Sequence, residues 1–177
     1  MERTQEANRR ARDASVLFVC LGNICRSPTA EAVFRERAAR AGLAQRIVVD
    51  SAGTGDWHVG RPPDRRAIAH AAKRGYDLTP LRARQVAPGD FDRFRWILAM
   101  DEANLRDLQA LRPRAHHGHL GLFLDFAPSL GVREVPDPYY GGLDGFERVL
   151  DLVEEASERL LEHVGRGLRT GDARAPS

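Results

Sequence analysis

The sequence predicts an α/β fold: a flavodoxin-like three-layer sandwich with a four-stranded parallel sheet and helices on both faces. Three observations lead to it. Short apolar segments alternate with helical patterns along the chain, which is the order that a parallel sheet produces. Right-handed crossovers leave few topologies for four strands, and the strand order 2-1-3-4 fits them. The length of 177 residues, without a repeat or a break in composition, suits one domain.

The four strands are predicted from short apolar runs bounded by polar or turn-forming residues. The first run, SVLFVC, is apolar almost throughout, as expected of a strand that is covered on both faces. The predicted strands cover residues 15–20, 46–51, 95–100 and 120–123.

Helices are predicted where apolar residues recur every three or four positions between a capping residue and a glycine or proline. Gly42 and Gly75 are expected to end the first two helices, and Asp101 to cap the third. The predicted helices cover residues 28–41, 64–74, 101–111 and 144–164, with a short helical turn at 88–91. The folded domain is therefore expected over residues 15–164, between a flexible arm at 1–14 and a flexible tail at 165–177.

Composition and charge exclude several classes of protein. The 27 basic and 25 acidic residues give a net charge of +2, which does not favour nucleic acid or an anionic membrane as a partner. No apolar stretch approaches the roughly 20 residues of a membrane span. The charged segment 1–14 lacks the apolar centre of a secretory signal. We therefore expect a cytoplasmic protein.

The two cysteines of the chain, Cys20 and Cys25, lie in one short segment. Because they are so close in the sequence, a bond between them could not connect distant parts of the fold. This favours a reducing compartment and reactive thiols over a disulfide scaffold. A structural zinc site, which usually takes four ligands, is not expected.

The most informative segment reads VLFVCLGNICRSP, residues 16–28. It predicts a strand that ends on Cys20, a tight loop, and a helix that begins close to Arg26. The backbone amides of such a loop and the helix N-terminus favour an oxyanion. The same positive end favours the thiolate, so that a cysteine beside a bound phosphate is a nucleophile in place. The alternative is a cysteine that serves only as a small apolar residue at the end of a buried strand.

Neighbouring residues favour the phosphate-binding loop. Gly22 and Asn23 can adopt the positive φ that a loop with inward-facing amides requires. Ser27 can cap the helix and also donate a hydrogen bond toward the Cys20 sulfur. Pro28 suits the first helical position.

A second segment, VPDPYYGG at residues 135–142, follows the predicted fourth strand and can reach the same edge of the sheet. One interpretation is a rigid surface turn, because prolines flank Asp137. The other is a general acid that protonates the leaving alkoxide or phenoxide and then serves as base for water. Tyr139 and Tyr140 would then wall an aromatic slot above the phosphate.

The chain resembles the low-molecular-weight protein tyrosine phosphatases over about residues 15–164. Five motifs carry the resemblance, in the order and spacing of that family: VLFVCLGNICRSP, DSAGTGDWHVG, ARQ, MDEANL and DPYYGG. The resemblance implies hydrolysis of phosphotyrosine monoesters through a phosphocysteine, without a metal or an organic cofactor. The implied partners are a phosphotyrosine-containing protein, for which a tyrosine kinase is one candidate, and inorganic phosphate as product or inhibitor.

The resemblance also assigns roles to residues. Cys20 is expected to be the nucleophile, Arg26 to hold the phosphate in a bidentate grip, and Asp137 to be the acid and then the base. Ser27 is expected to hydrogen-bond the sulfur. Ser51 and Glu31 are expected to support the strained conformation of Asn23. The residues expected to contact the substrate are Leu21, Gly22, Asn23, Ile24, Cys25, Trp57, Tyr139 and Tyr140.

Three positions are ambiguous. Leu81 stands where many family members carry a histidine that supports the loop. Asp101 resembles a family position near the active site, but an ordinary helix cap is the preferred interpretation. Cys25 is either a small residue in a tight loop or, as in the family, the partner of a reversible disulfide that protects Cys20 from further oxidation.

Three other functions are alternatives to this one. An arsenate reductase on this fold would need further cysteines, and the chain has none outside the loop. A protein arginine phosphatase typically carries threonine where Ile24 stands and lacks the paired tyrosines. A non-catalytic anion-binding module is disfavoured because a nucleophile, an arginine and an acid are all present.

Overall fold

Four parallel strands form one sheet in the order β2-β1-β3-β4 in the computed structural model, which describes residues 3–4, 14–142 and 144–170. The strands are β1 (Ser15–Cys20), β2 (Val48–Gly53), β3 (Trp96–Ala99) and β4 (His119–Leu122). Strand β1 is buried throughout and pairs with β2 on one side and β3 on the other. The predicted fold class and strand order are confirmed.

Helices cover both faces of the sheet. They are α1 (Arg26–Arg40), α2 (Arg65–Lys73), α3 (Asp90–Arg93), α4 (Glu102–Leu111) and α5 (Asp144–Thr170), and two short 3-10 helices, Phe123–Phe126 and Pro128–Leu130, follow β4. Alternate side chains of β1 point to opposite faces, as strand geometry requires. Phe18 lies in one apolar cluster with Phe34 of α1 and Val153 of α5. Leu17 lies in the other cluster with Leu108 of α4.

Helix α1 begins two residues before its predicted start, and this changes the role of Ser27. The N-cap residue is Cys25, and its side chain makes no capping hydrogen bond. Ser27 is thus the second residue of the helix, and the prediction that it caps the helix is wrong: its hydroxyl bonds to the loop instead. Pro28 occupies the third helical position rather than the first, where its missing N–H is still tolerated because that donor would have no intrahelical partner.

Two other element boundaries differ from the prediction by a few residues. Strand β2 lies two residues later, because its register pairs Val48 with Ser15 and Gly53 with Cys20. The short helix α3 is likewise displaced by two residues from the predicted turn. The ends of the first two helices agree with the prediction, since Gly42 and Gly75 follow them with φ of 72° and 88°.

Helix α5 continues to Thr170, six residues beyond the predicted end at Val164. Glycine within a helix costs only about 1 kcal/mol, and tertiary contacts offset that cost here. Leu168 packs against the apolar core, and its carbonyl accepts from Arg46 Nη2 at 3.3 Å. The predicted flexible tail is therefore helical as far as Thr170, and its remainder lies outside the described residues. The predicted N-terminal arm also lies outside them, apart from residues 3–4 and the buried Ala14.

The carboxyl ends of β1 and β3 bring three segments to one edge of the sheet. Strand β1 ends at Cys20, and the loop to α1 follows. Strand β3 leads through Met100 into the cap of α4. The Val135 N–H donates to the Met100 carbonyl at 2.8 Å, which places the segment before Asp137 at the same edge. Within the described ranges, no helix has the length and apolar character that crossing a membrane would require.

Candidate active site

The segment between Cys20 and Arg26 forms a tight loop at the carboxyl end of β1. Asn23 has a φ of 55°, and it is the one non-glycine residue with positive φ among those described. Gly22, for which positive φ was also expected, does not adopt it. A Cβ on the neighbouring Gly53 would lie 2.7 Å from the carbonyl oxygen of Leu21, so a glycine at this position is what lets β2 approach the loop so closely.

Two hydrogen-bonding groups contact the sulfur of Cys20, a residue that is only 3 % exposed. The backbone N–H of Asn23 donates to Sγ at 3.3 Å. The hydroxyl oxygen of Ser27 lies 3.0 Å from Sγ. Donors at this distance stabilise a thiolate more than a thiol, because they compensate negative charge on the sulfur.

The side chain of Asn23 organises the loop from beneath. Its Nδ2 donates to the hydroxyls of Ser27 at 2.8 Å and Ser51 at 3.0 Å. Its Oδ1 accepts the backbone N–H of Arg84 at 3.0 Å, so the amide oxygen faces Arg84 and the amide nitrogen faces the two hydroxyls. Ser51 in turn donates to Glu31 Oε1 at 2.7 Å. The structure thus brings together the residues expected to support Asn23.

Arg84 is a supporting residue that the sequence interpretation missed. It belongs to the ARQ motif, one of the five motifs that carry the resemblance, but no role was predicted for it from the sequence. Its guanidinium contacts Asp50 and the buried Asp90, and these bonds anchor the segment that presents its N–H to Asn23. Leu81, at the place of the family histidine, packs against the apolar core. On this side, the loop is supported by the backbone N–H of Arg84, which donates to Asn23.

Arg26 is held in place by a carboxylate and a carbonyl. Its Nη1 donates to Asp101 Oδ2 at 2.6 Å and to the Val135 carbonyl at 3.1 Å. Burial opposes the charged form, but Cys20 and Asp101 outweigh it and raise the pKa of the Arg26 guanidinium. A permanently charged guanidinium, turned toward the loop by fixed partners, can bind a phosphate oxygen pair.

Asp101 therefore has both of the roles between which the sequence could not decide. Its Oδ1 accepts the Asn104 N–H at 2.8 Å and caps α4, as predicted. Its Oδ2 orients Arg26. Asp101 belongs to the site, although the preferred interpretation of the sequence placed it outside.

Asp137 lies across the loop from Cys20 and reaches Arg26. Its Oδ2 is 3.5 Å from Arg26 Nη2, and its Oδ1 accepts the Tyr139 N–H at 3.0 Å. The side chain is 42 % exposed, so it remains accessible from solvent. An accessible carboxyl group beside the buried Arg26 guanidinium is placed to exchange a proton with a ligand in the cavity.

A cavity of about 430 Å³ lies above the loop. It is lined by Cys20, Leu21, Gly22, Ile24, Cys25, Arg26, Trp57, His58, Asp137, Tyr139 and Tyr140. Trp57 and Tyr140 are largely exposed, at 68 % and 92 %, so the walls of the cavity are aromatic and open to solvent. His58 also lines the cavity, although the sequence analysis did not predict this. Its position next to Trp57 in the sequence could have indicated it.

The two cysteines have different surroundings. Both are free thiols and both are buried. Burial, followed by the nearby charge of Asp64, raises the pKa of the Cys25 thiol far above its ordinary value. Cys25 therefore stays protonated at neutral pH and does not compete with Cys20 as a nucleophile. Over the part of the chain that the structure describes, no cluster of three or more histidine, cysteine or acidic residues could hold a metal ion.

Comparisons with known proteins show to which family the chain is similar. The family model described as low molecular weight phosphotyrosine protein phosphatase matches residues 15–170. A low molecular weight protein-tyrosine-phosphatase of Streptomyces coelicolor is 47 % identical over 152 residues, which cover 84 % of this chain and 92 % of that protein.

Solved structures give the same grouping. A protein tyrosine phosphatase from Entamoeba histolytica matches with a TM-score of 0.84 at 40 % identity, covering 88 % of this chain and 99 % of that chain. The Drosophila arginine phosphatase DARP matches with a TM-score of 0.78 at 34 % identity, covering 84 % and 96 %. Proteins named for two phosphorylated side chains, tyrosine and arginine, thus resemble this chain in sequence and in fold.

Proposed function

The chain belongs to the low molecular weight phosphotyrosine protein phosphatase family, and from this premise we propose that it hydrolyses phosphotyrosine through a phosphocysteine formed on Cys20. The observation that carries the proposal is the convergence of three groups on one cavity. The sulfur of Cys20, the guanidinium of Arg26 and the carboxyl group of Asp137 all line it. A nucleophile, an oxyanion binder and a proton donor are the parts that this reaction needs.

In the proposed first step, the loop amides and Arg26 bind the phosphate oxygens. The Cys20 sulfur attacks phosphorus; a sulfur–phosphorus bond forms and the bond to the tyrosine oxygen breaks. Asp137 donates its proton to that leaving oxygen, so tyrosine departs neutral. Arg26 and the loop amides stabilise the negative charge on the three phosphoryl oxygens in the transition state.

In the proposed second step, water hydrolyses the phosphocysteine. The Asp137 carboxylate, left by the first step, takes a proton from the water as its oxygen attacks phosphorus. The sulfur–phosphorus bond breaks, and Cys20 leaves as a thiolate. The donors at 3.0 and 3.3 Å from its sulfur, Ser27 and the Asn23 N–H, support the proposal because they stabilise that leaving thiolate. The product is inorganic phosphate, which is also expected to inhibit by rebinding.

Selectivity for the aromatic ring is proposed to come from Trp57, Tyr139 and Tyr140. A phosphotyrosine reaches deeper into a site than phosphoserine, and its ring can contact aromatic walls. Tyr139 and Tyr140 pack edge to face with ring centroids 4.8 Å apart, which holds one wall together. Ile24 adds an apolar side chain to the lining and favours an aromatic ring over a guanidinium. The proposed substrate is a phosphotyrosine-containing protein, for which a tyrosine kinase is one candidate.

The test is hydrolysis of phosphotyrosine, phosphoserine and phosphoarginine peptides of one sequence, without added metal. We expect turnover of phosphotyrosine alone and its complete loss in Cys20→Ser, whereas Cys25→Ser, the other cysteine of the loop, should lose only part of the activity. Asp137→Asn should lower kcat by about a hundredfold or more. Preference for phosphoarginine would replace the proposed substrate. Absence of turnover with retained phosphate binding would indicate a binding module.

We also propose that Cys25 protects Cys20 in the reducing cytoplasm. Peroxide would oxidise the Cys20 thiolate to a sulfenic acid. The Cys25 thiol would then attack that sulfur and give up its proton, so that the hydroxyl leaves as water and a disulfide forms. The position of both cysteines in one loop, lining the same open cavity, supports this step. Dithiothreitol should restore activity after peroxide treatment in the wild type and not in Cys25→Ser; equal recovery would contradict the proposal.

A further inference from the structure

A chain of hydrogen bonds connects a surface arginine to the loop that carries the nucleophile. Arg35 lies on α1 with 57 % of its side chain exposed, and its Nη2 donates to Glu31 Oε2 at 2.5 Å. The other oxygen of Glu31 accepts from the Ser51 hydroxyl at 2.7 Å. Ser51 accepts in turn from the side-chain amide of Asn23 at 3.0 Å. An exposed side chain of α1 is thus connected through three hydrogen bonds to Asn23 in the loop.

We propose that Arg35 is a positioning residue for the phosphatase reaction: by pairing with Glu31 it sets the direction of the hydrogen bonds that run beneath Cys20. The inference rests on the proposed function. Arg35 touches neither the substrate cavity nor the sulfur, so its effect passes through Glu31 and the residues that Glu31 contacts.

The surroundings of Glu31 make its ionisation depend on a cation. Its side chain is only 4 % exposed, and burial of an unpaired carboxylate is costly. Burial raises the pKa of Glu31 above its ordinary value, and the Ser51 hydrogen bond and the Arg35 charge limit that rise. The negative charge of Asp50 on β2 also raises the pKa of Glu31. Arg84 forms an ion pair with Asp50. Arg35 is therefore the cation that contacts Glu31.

The charge state of Glu31 decides which way the hydrogen bonds run. An ionised carboxylate can only accept, so the Ser51 proton must point at it. The Ser51 oxygen is then available to accept from Asn23, whose second N–H donates to Ser27 at 2.8 Å. Ser27, having accepted, directs its own proton toward the Cys20 sulfur or a backbone carbonyl. A neutral Glu31 could donate to Ser51 and would no longer enforce this order.

One further contact shows that Arg35 is built into this part of the fold. Its Nη2 also donates to the carbonyl of Val49 at 2.9 Å, which ties α1 to the strand that carries Ser51.

Arg35→Met tests the proposal, and Arg40→Met is its matched control. Arg40 makes the same i,i+4 pair on α1, with Glu36 at 3.1 Å, but both side chains are largely exposed. For Arg35→Met we expect kcat/KM relative to wild type to fall about fivefold at about pH 5.5 and to recover by about pH 8. The sign follows because Glu31 without its cation stays protonated to a higher pH. Arg40→Met should match wild type throughout, and Arg35→Lys should restore most of the loss.

A second measurement needs no substrate. The pH-dependent movement of the side-chain amide resonances of Asn23 should lie at higher pH in Arg35→Met than in wild type or in Arg40→Met. An unchanged resonance, a loss of activity that is independent of pH, or an equal loss in Arg40→Met would overturn the proposal. If wild type fails to hydrolyse phosphotyrosine, the proposed function falls, whereas the resonances still decide about Arg35. Should Arg35→Met not fold, Arg35→Gln removes the charge with the same expected result.

Discussion

Arg26 Nη1 donates to Asp101 Oδ2 at 2.6 Å, while Oδ1 of the same carboxylate accepts the Asn104 N–H at 2.8 Å and caps α4. One side chain thereby sets the start of a helix and the direction of the guanidinium that faces the loop. Because each function uses a different oxygen, substitutions can separate them.

Asp101→Asn is expected to keep the cap and lose the orientation of Arg26. A hydrogen bond to a charged group contributes more than a neutral one, so kcat/KM should fall by about tenfold while Tm changes little. Asp101→Ala removes the cap as well and should lower the free energy of unfolding by a further ~1 kcal/mol. Steady-state kinetics and thermal unfolding of both variants check this. Equal losses of Tm in the two variants would contradict the division of roles.

Arg66 is expected to hold the segment that carries the acid. Its Nη2 donates to the Tyr139 carbonyl at 3.1 Å, and its guanidinium lies 5.6 Å from the Tyr139 ring. Arg66→Met should lower kcat by roughly threefold for aryl phosphates with poor leaving groups and hardly at all for good ones, because only the former depend on Asp137. Arg65→Met, at the exposed neighbouring position, is the control. The same loss for both kinds of leaving group would show that Arg66 acts elsewhere.

Asp64 is expected to stabilise the fold more at neutral pH than in acid. It caps α2 by accepting the Arg66 N–H at 2.8 Å, and the Arg66 side-chain hydrogen bond lowers the pKa of Asp64. Its contribution is present above about pH 4 and is lost as pH falls through the lowered folded-state pKa. Asp64→Ala should reduce the free energy of unfolding by about 1–2 kcal/mol at neutral pH. Urea unfolding at several pH values should show that difference shrinking in acid, and Asp64→Asn should retain the cap.

Three histidines are expected to make the protein less stable in mild acid. Burial lowers the pKa values of His116, His119 and His163 below the ordinary histidine value. The unfolded chain therefore binds protons first, and the free energy of unfolding should fall as pH drops below about 6.5. Urea unfolding between about pH 5 and 8 measures this slope. His163→Leu should make the slope shallower, and an unchanged slope would show that His163 does not contribute.

Sequence patterns predicted the elements well where local signals act alone. The apolar run of β1 and the glycines after α1 and α2 determine a strand and two helix ends through backbone geometry and burial, which depend on neighbours in the chain. The end of α5 was placed too early, because Leu168 is held in the helix by packing against a distant core. No local pattern could report that contact.

The candidate site divides in the same way. Spacing placed Cys20 and Arg26 at the two ends of one loop, and two prolines marked Asp137 as a fixed position. The expected helix cap at Ser27 was wrong, because its hydroxyl is claimed by Cys20 and Asn23 across the loop rather than by the helix backbone. The second role of Asp101 came only from the resemblance, as the less favoured interpretation, because Arg26 lies far away in the sequence and no local pattern joins the two residues.

The sequence by itself determined the elements, their parallel order and the short loop that carries Cys20, because apolar periodicity, capping and turn residues act over a few neighbouring positions. Tertiary packing determines which partners the oxygens of Asp101 and Glu31 contact, and it brings the Arg84 N–H to the side chain of Asn23. Hydrogen bonds need partners within about 3.5 Å. Hydrogen bonds between segments that are distant in sequence therefore form only where the packed sheet and helices bring the donor and the acceptor together.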